Sequence, residues 1–155
     1  MDIASPTASF RHILVGVDGS DPACRAADTA ARLALALDAS LTFLAVAKEV
    51  RASKDIEDYA KLEGIETPRL PLLRSDAEAC LTAAVAAARD LGLVGVERVI
   101  QTGDVGQMIA RVAQTHGADC IVLGRSARGA VRKLVAGSVA NAVGKATEGA
   151  VLLIP

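Results

Sequence analysis

Five short apolar runs, separated by segments long enough to form helices, constrain the fold of this chain more than any other feature. The first two runs read HILVGVD and SLTFLAV, and the five lie at residues 12–18, 40–46, 96–101, 119–123 and 150–154. Short runs rich in branched apolar residues are typical of strands buried on both faces of a sheet. Because every connection can hold a crossover helix, the pattern predicts an α/β fold with a parallel sheet covered on both faces.

Capping signals predict where the helices begin. Ser20 precedes an early proline and a stripe of alanines, Ser75 stands three residues before a glutamate, and Asp104 stands three residues before a glutamine. A short polar side chain at the start of an apolar period is the usual N-cap of a helix. We therefore expect helices over residues 21–37, 75–91, 104–117 and 137–145.

The length of 155 residues predicts one domain, with a flexible leader at residues 1–10 and a single folded unit at residues 11–155. Residues 48–74 are charged and include two prolines, so they do not resemble core. We expect a mobile charged loop there, with a turn of helix near residues 56–62.

The charge balance argues against nucleic acid as a partner. Lys plus Arg number 17 and Asp plus Glu number 18, giving a net charge of −1, and no long basic block is present. The longest uncharged stretch, residues 134–144, is far shorter than the ~20 residues of a membrane-spanning helix. The expected protein is soluble, contacts no membrane and lies in the cytosol.

Histidines and cysteines offer little support for catalysis. His12 begins a predicted strand and His116 ends a predicted helix, so they suggest neither a metal cluster nor a base for a cysteine nucleophile. Cys24, Cys80 and Cys120 are odd in number and far apart in the sequence, which argues against a disulfide framework and favours a reducing cytosol. We expect all three cysteines to be structural.

Candidate ligand-binding residues follow the first and fourth predicted strands, where α/β sheets bind ligands. Asp18 ends the first strand just before a helix, and it is either a ligand residue or a turn residue that satisfies local amides. Gly124 ends the fourth strand, and Gly137-Ser138 begins the last helix. Small residues and a helix start let backbone N–H groups approach phosphate oxygens, although an ordinary glycine-containing loop has the same composition.

The sequence resembles the universal stress protein family over nearly its whole length. The residues that carry this resemblance are HILVGVDGSDPACRAADTAARLA at 12–34, TGDVGQMIARVAQTHGAD at 102–119, GADCIVLGRSARGAVRKLVAGSVANAV at 117–143 and GAVLLIP at 149–155. The resemblance implies an open five-stranded parallel sheet in the order 3-2-1-4-5, of the Rossmann-like, adenine nucleotide alpha hydrolase-like type.

The nucleotide-binding members of this family carry the motif G-x2-G-x9-G-[ST]. Gly124, Gly137 and Ser138 match its spacing, whereas Ala127 replaces the second glycine and Gly129 comes two positions late. The family's usual His-Val at the end of strand two is Ala45-Val46 here, and Ala45 is not assigned to the ligand. The Walker pattern GxxxxGK[ST] is absent, so the chain is not a P-loop NTPase.

The resemblance also implies a set of ligand-binding residues. Asp18 and Val46 would flank the adenine and ribose, and Val17 and Leu123 would line the floor of the site. The phosphates would be held by Gly124, Ala127, Gly137, Ser138 and Val139. The implied ligand is ATP, or else AMP or ADP, with Mg²⁺ as an accompanying ion.

The function that follows is a stress-response protein that binds an adenine nucleotide and acts as a regulatory homodimer joined through the C-terminal strand, with an unidentified protein partner. Catalysis is not expected. The first alternative is a dimeric interaction module of the same fold that binds no nucleotide. The second is a weak ATP-hydrolysing enzyme, which is disfavoured because no carboxylate pair or general base accompanies the loop.

Overall fold

The computed structural model describes residues 9–50, 53–66, 70–72, 75–125, 143–145 and 148–155. Strands and helices alternate along most of these ranges. In chain order they are β1 (His12–Gly16), α1 (Asp21–Leu37), β2 (Ser40–Val50), α2 (Lys54–Leu62), β3 (Leu70–Leu72), α3 (Ser75–Asp90), β4 (Val96–Thr102), α4 (Val105–His116), β5 (Cys120–Gly124) and β6 (Ala150–Ile154).

Five strands form a parallel sheet in the order β4-β2-β1-β5-β6. Counted along the chain without β3, this is the predicted order 3-2-1-4-5, and the predicted α/β fold is confirmed. β1 is central, with Val15 opposite Phe43 of β2 and Val122 of β5. α1 carries the chain from β1 to β2 on one side of β1, whereas β5 pairs with β1 on the other side. The strand order therefore reverses between β1 and β5.

The sheet has a core on each face. One core joins β1, β2 and β5 to α1 and α3 and contains the fully buried Phe43 and Leu81. The other joins them to α4 and includes the fully buried Val143. The buried stripe of α1 consists of alanines alone. Because alanine side chains are short, α1 can approach the sheet and α3 closely.

The predicted helix starts are confirmed where the structure describes them. Ser20 Oγ accepts a hydrogen bond from the Ala23 amide at 3.3 Å, and Asp104 Oδ1 accepts one from the Gln107 amide at 3.1 Å. α4 ends at His116 and is capped by Gly117, which has a φ of 65°. Glycine adopts this left-handed conformation without a steric penalty, so it stops the helix at the predicted place.

Residues 48–74 contain more secondary structure than the predicted loop. β2 continues to Val50, and β3 pairs antiparallel with its end, so that Val50 faces Leu70. Pro71 is tolerated because the described pairing of β3 is with β2 alone, as in an edge strand. The expected helical turn is confirmed by α2, whose early acidic residues and late Lys61 suit the helix dipole. The mobility of this segment stays a prediction.

Candidate functional site

The carboxyl ends of β1, β2 and β5 open into a cleft beside α4. The cleft measures about 450 Å³ including its open mouth. Five of the residues predicted to bind a ligand line it, namely Val17, Asp18, Val46, Leu123 and Gly124. The amide of Val17 donates a hydrogen bond to the Leu44 carbonyl at 2.8 Å, which holds the last residues of β1 beside β2. These residues, which lie up to 107 positions apart in the sequence, therefore share one concave surface.

Asp18 forms a tight local turn at the mouth of the cleft. Its Oδ1 accepts hydrogen bonds from the Ser20 amide at 2.9 Å and from the Ser20 hydroxyl at 2.6 Å. Both bonds belong to the turn that leads into α1, so the structural role of Asp18 as a turn residue is present. The side chain is only partly buried and also lines the cleft. A carboxylate has two oxygens, so one group can hold the turn and accept from a ligand together.

Gly124 lies where β5 meets the first turn of α1. A side-chain carbon built on Gly124 would stand 2.5 Å from the Ala23 amide nitrogen and 2.6 Å from the Pro22 carbonyl oxygen. Both neighbours are backbone atoms, which cannot rotate away. A glycine is needed here for close packing, whether or not the position also contacts a phosphate.

Four of the predicted phosphate-binding residues, Ala127, Gly137, Ser138 and Val139, lie outside the described residues. Their ligand role stays a prediction. The last described residue before them is Arg125, whose amide donates to the Ile154 carbonyl at 2.6 Å. The chain therefore leaves β5 at the rim of the cleft.

The cleft also contains residues that the sequence analysis did not select as ligand residues. Gly16, Ala23, Leu44, Val105 and Ile109 complete its lining. The last two had a usable signal, because they lie on the apolar stripe of α4. Gly16 had none, and its role follows from contact: a side-chain carbon there would lie 2.9 Å from Leu123 Cδ2. The result is a largely apolar cleft with Asp18 as its one ionisable side chain among the described residues.

The two histidines face each other at the amino end of β1, at the opposite end of the strand from the cleft. Their ring centroids are 6.1 Å apart, and His12 is hydrogen-bonded to Thr42 Oγ1 at 2.8 Å. His116 lies 3.4 Å from a Glu97 carboxylate oxygen. Burial, and then the charge of His116, lower the pKa of His12, against the opposing effects of Glu97 and Asp119. The pair is remote from the cleft, and within the described residues no cluster suited to a metal ion forms.

The cysteines differ from one another more than the sequence suggests. Cys120 is buried in β5, as a structural cysteine should be, and burial followed by the charge of Asp119 raises its pKa to about 11. Cys24, however, is exposed, and its thiol interacts with the partly buried Cys80, whose pKa it raises. The expectation that all three are simply structural therefore does not describe Cys24.

In the described part of the chain, no helix has the length and apolarity needed to cross a bilayer.

Comparison with known proteins yields one consistent match. A profile of the Universal stress protein family covers residues 9–155. A Staphylococcus haemolyticus protein assigned to the universal stress proteins is 29% identical over 136 residues, which is 87% of this chain and 78% of that protein.

Two solved structures resemble the fold closely. A universal stress protein in complex with cAMP has 26% identity and a TM-score of 0.65, covering 96% of this chain and 99% of its own. The universal stress protein UspA of Lactobacillus plantarum has 22% identity and a TM-score of 0.71, with the same coverage of 96% and 99%.

Proposed function

Because this chain belongs to the universal stress protein family, we propose that it binds an adenine nucleotide in the cleft at the carboxyl ends of β1, β2 and β5. The observation that carries the proposal is the convergence of five predicted ligand residues on one cleft at the carboxyl ends of the strands. A relative with 26% identity was crystallised with cAMP, an adenine nucleotide. We propose ATP as the ligand, with AMP and ADP as the related candidates and Mg²⁺ as a companion to its phosphates.

The cleft suits the chemistry of an adenosine group. Val17, Val46 and Leu123 offer apolar surface to the faces of a purine ring. Asp18 offers carboxylate oxygen at the mouth, and the amino group of adenine and the ribose hydroxyls are hydrogen-bond donors that such an oxygen accepts. The phosphates would extend toward the segment that follows Arg125, where Gly124, Ala127, Gly137, Ser138 and Val139 are proposed to hold them.

A regulatory role is favoured over catalysis in this proposal. Asp18 is the one ionisable group among the described cleft residues, and it is already committed to the turn at Ser20. Hydrolysis would need a second group to activate water. The protein would therefore act in a cytosolic stress response by changing its association with a partner protein when nucleotide binds.

We further propose a homodimer through β6. This strand pairs with β5, and its Val151 and Leu153 side chains are 36% and 41% exposed. An apolar edge strand of this kind is an aggregation hazard unless it is paired. Antiparallel pairing of β6 with its copy across a two-fold axis would cover it. Equilibrium sedimentation at micromolar concentration should give the dimer mass, and a monomer would contradict the dimer alone.

Titration calorimetry with ATP, ADP, AMP and cAMP tests nucleotide binding. Asp18→Asn keeps an oxygen for the Ser20 turn but removes the charge, so we expect affinity to fall by about 10- to 100-fold, equivalent to about 1.5–3 kcal/mol. The melting temperature should change by less than about 2 °C, because the turn is retained. Asp38→Asn is the matched control, since it removes one carboxylate at the other end of α1, where Asn also tolerates the left-handed backbone.

Two results would decide against the proposal. Heat from none of the four nucleotides, together with no nucleotide released from gently purified protein, would favour the interaction module that binds no nucleotide. Equal loss of affinity in Asp18→Asn and Asp38→Asn would show that Asp18 acts only through the general charge of the protein.

A further inference from the structure

The helices α1 and α3 come into contact where both of them begin. A side-chain carbon on Gly19, just before α1, would stand 2.6 Å from the Ala77 amide nitrogen and 2.9 Å from the Asp76 side chain, in the first turn of α3. The φ of Gly19 is 82°, a left-handed value that favours glycine. This contact fixes the height of one helix against the other.

From that contact the two helices run side by side in the same direction, because α1 leads into β2 and α3 leads into the parallel neighbour β4. Cys24 stands four residues after the N-cap Ser20, and Cys80 stands four residues after Asp76. Four residues advance about 6 Å along a helix. The two cysteines therefore lie at about the same height, one on each helix.

The side chains meet at this height. Cys80 is partly buried against the core between α1 and α3, and its thiol interacts with that of Cys24. Burial first, and then the hydrogen bond and charge of Cys24, raise the pKa of Cys80 to about 12, with smaller effects from Asp18 and Asp76. Cys80 thus holds its proton, while Cys24 is exposed to solutes.

We propose that Cys24 and Cys80 form a reversible intramolecular disulfide when the protein meets hydrogen peroxide. Exposed cysteines beside a second thiol are the usual arrangement of redox-sensitive pairs, and cytosolic disulfides are mostly transient ones of this type. The alanine-rich faces of α1 and α3 allow the close approach that a disulfide needs. No nucleotide takes part in this reaction, so it stands apart from the proposed function.

The chemistry proceeds in two steps. The Cys24 thiolate attacks one oxygen of the peroxide, and the O–O bond breaks. Cys24 becomes a sulfenic acid. The departing hydroxide takes up the proton that Cys24 lost and forms water. The Cys80 sulfur then attacks the Cys24 sulfur, the S–O bond breaks, and the leaving hydroxide removes the Cys80 proton as a second water. Two thiols are oxidised by two electrons, one peroxide is reduced to two waters, and a dithiol reductant reverses the change.

Peptide mapping tests the proposal directly, because trypsin places each cysteine on its own peptide. Cys24 falls in residues 12–25, Cys80 in residues 75–89 and Cys120 in residues 112–125. The folded chain is treated with sub-millimolar hydrogen peroxide, free thiols are blocked with iodoacetamide, and the digest is analysed without reductant by mass spectrometry. We expect the 12–25 peptide linked to the 75–89 peptide, with Cys120 alkylated only after unfolding, and dithiothreitol should abolish the link.

Three variants sharpen the result. Cys24→Ser and Cys80→Ser should each abolish the linked peptide, and Cys80→Ser should leave Cys24 to be oxidised further to the sulfinic acid. Cys120→Ala is the matched control and should keep the link. The wild-type peptide map gives the answer even if a variant fails to fold.

Other outcomes would overturn the proposal. They are oxidation of wild-type Cys24 to sulfinic acid without a link, a Cys24–Cys24 link between two chains, and a Cys24–Cys80 link that forms only in denaturant.

Discussion

Replacing Gly124 with alanine tests how β5 packs against α1 beneath the cleft. The new methyl group would meet the Ala23 nitrogen at 2.5 Å and the Pro22 oxygen at 2.6 Å, whereas real side-chain carbons keep at least 3.0 Å from such atoms. The backbone must therefore separate by about half an ångström. Neither partner is free to move, because β5 is paired with β1 and β6 and the start of α1 is capped by Ser20.

We expect Gly124→Ala to lower the free energy of unfolding by about 3 kcal/mol, the upper part of the usual range for overpacking a well-packed site. For a domain of this size, that loss corresponds to about 6–12 °C in melting temperature. Differential scanning calorimetry and urea unfolding would both report it.

The matched control is Gly144→Ala. Gly144 lies in the helical residues 143–145, and a side-chain carbon there would have no neighbour within 4 Å among the residues that the structure describes. Alanine should stabilise such a site by about 0.5–1 kcal/mol, because it reduces the freedom of the unfolded chain. If Gly124→Ala melts within about 2 °C of the wild-type protein, β5 does not press on the first turn of α1, and the close-packing explanation of this glycine is refuted.

Three further predictions concern titration, the phosphate motif and oxidation. The pKa of His12 is lowered by burial and by His116, so protonation of His12 favours the unfolded chain. The melting temperature should therefore fall as the pH drops below about 6.5. An equal fall in the His12→Gln variant would contradict this. Ala127→Gly should tighten ATP binding by about five-fold if this position has positive φ, and calorimetry that shows equal affinities would contradict this. A disulfide between Cys24 and Cys80 closes a loop of roughly 57 residues and should raise the free energy of unfolding by as much as about 4 kcal/mol. If dithiothreitol does not lower the melting temperature of the oxidised protein, this prediction is contradicted.

Much of the fold follows from local chemistry that the sequence displays. The apolar runs predict β1 and its parallel neighbours because a strand buried on both faces must be apolar on both faces. Ser20 and Asp104 predict helix starts because a capping side chain acts on an amide only three residues away. The order of the strands came from resemblance to the universal stress proteins, since periodicity alone selects a parallel sheet without arranging its members.

The segment at residues 48–74 shows where local reasoning fell short. Charge and proline predicted a loop, yet β3 forms there because an existing edge of β2 supplies its hydrogen-bond partners. A three-residue strand has too few contacts to be specified by its own sequence. Its template lies elsewhere in the chain, so only the folded protein reveals it.

The sequence by itself determined the apolar periods and the helix caps and marked Asp18 and Gly124 as candidates at strand ends, because each depends on neighbours within a few positions. Val17, Val46 and Leu123 became candidates through the family resemblance. The tertiary structure decided which distant residues meet. It placed Cys24 level with Cys80, set His12 against His116 and brought Gly124 onto the backbone of α1. These contacts depend on how helices and strands are placed against one another across dozens of intervening residues, and no local pattern encodes that placement.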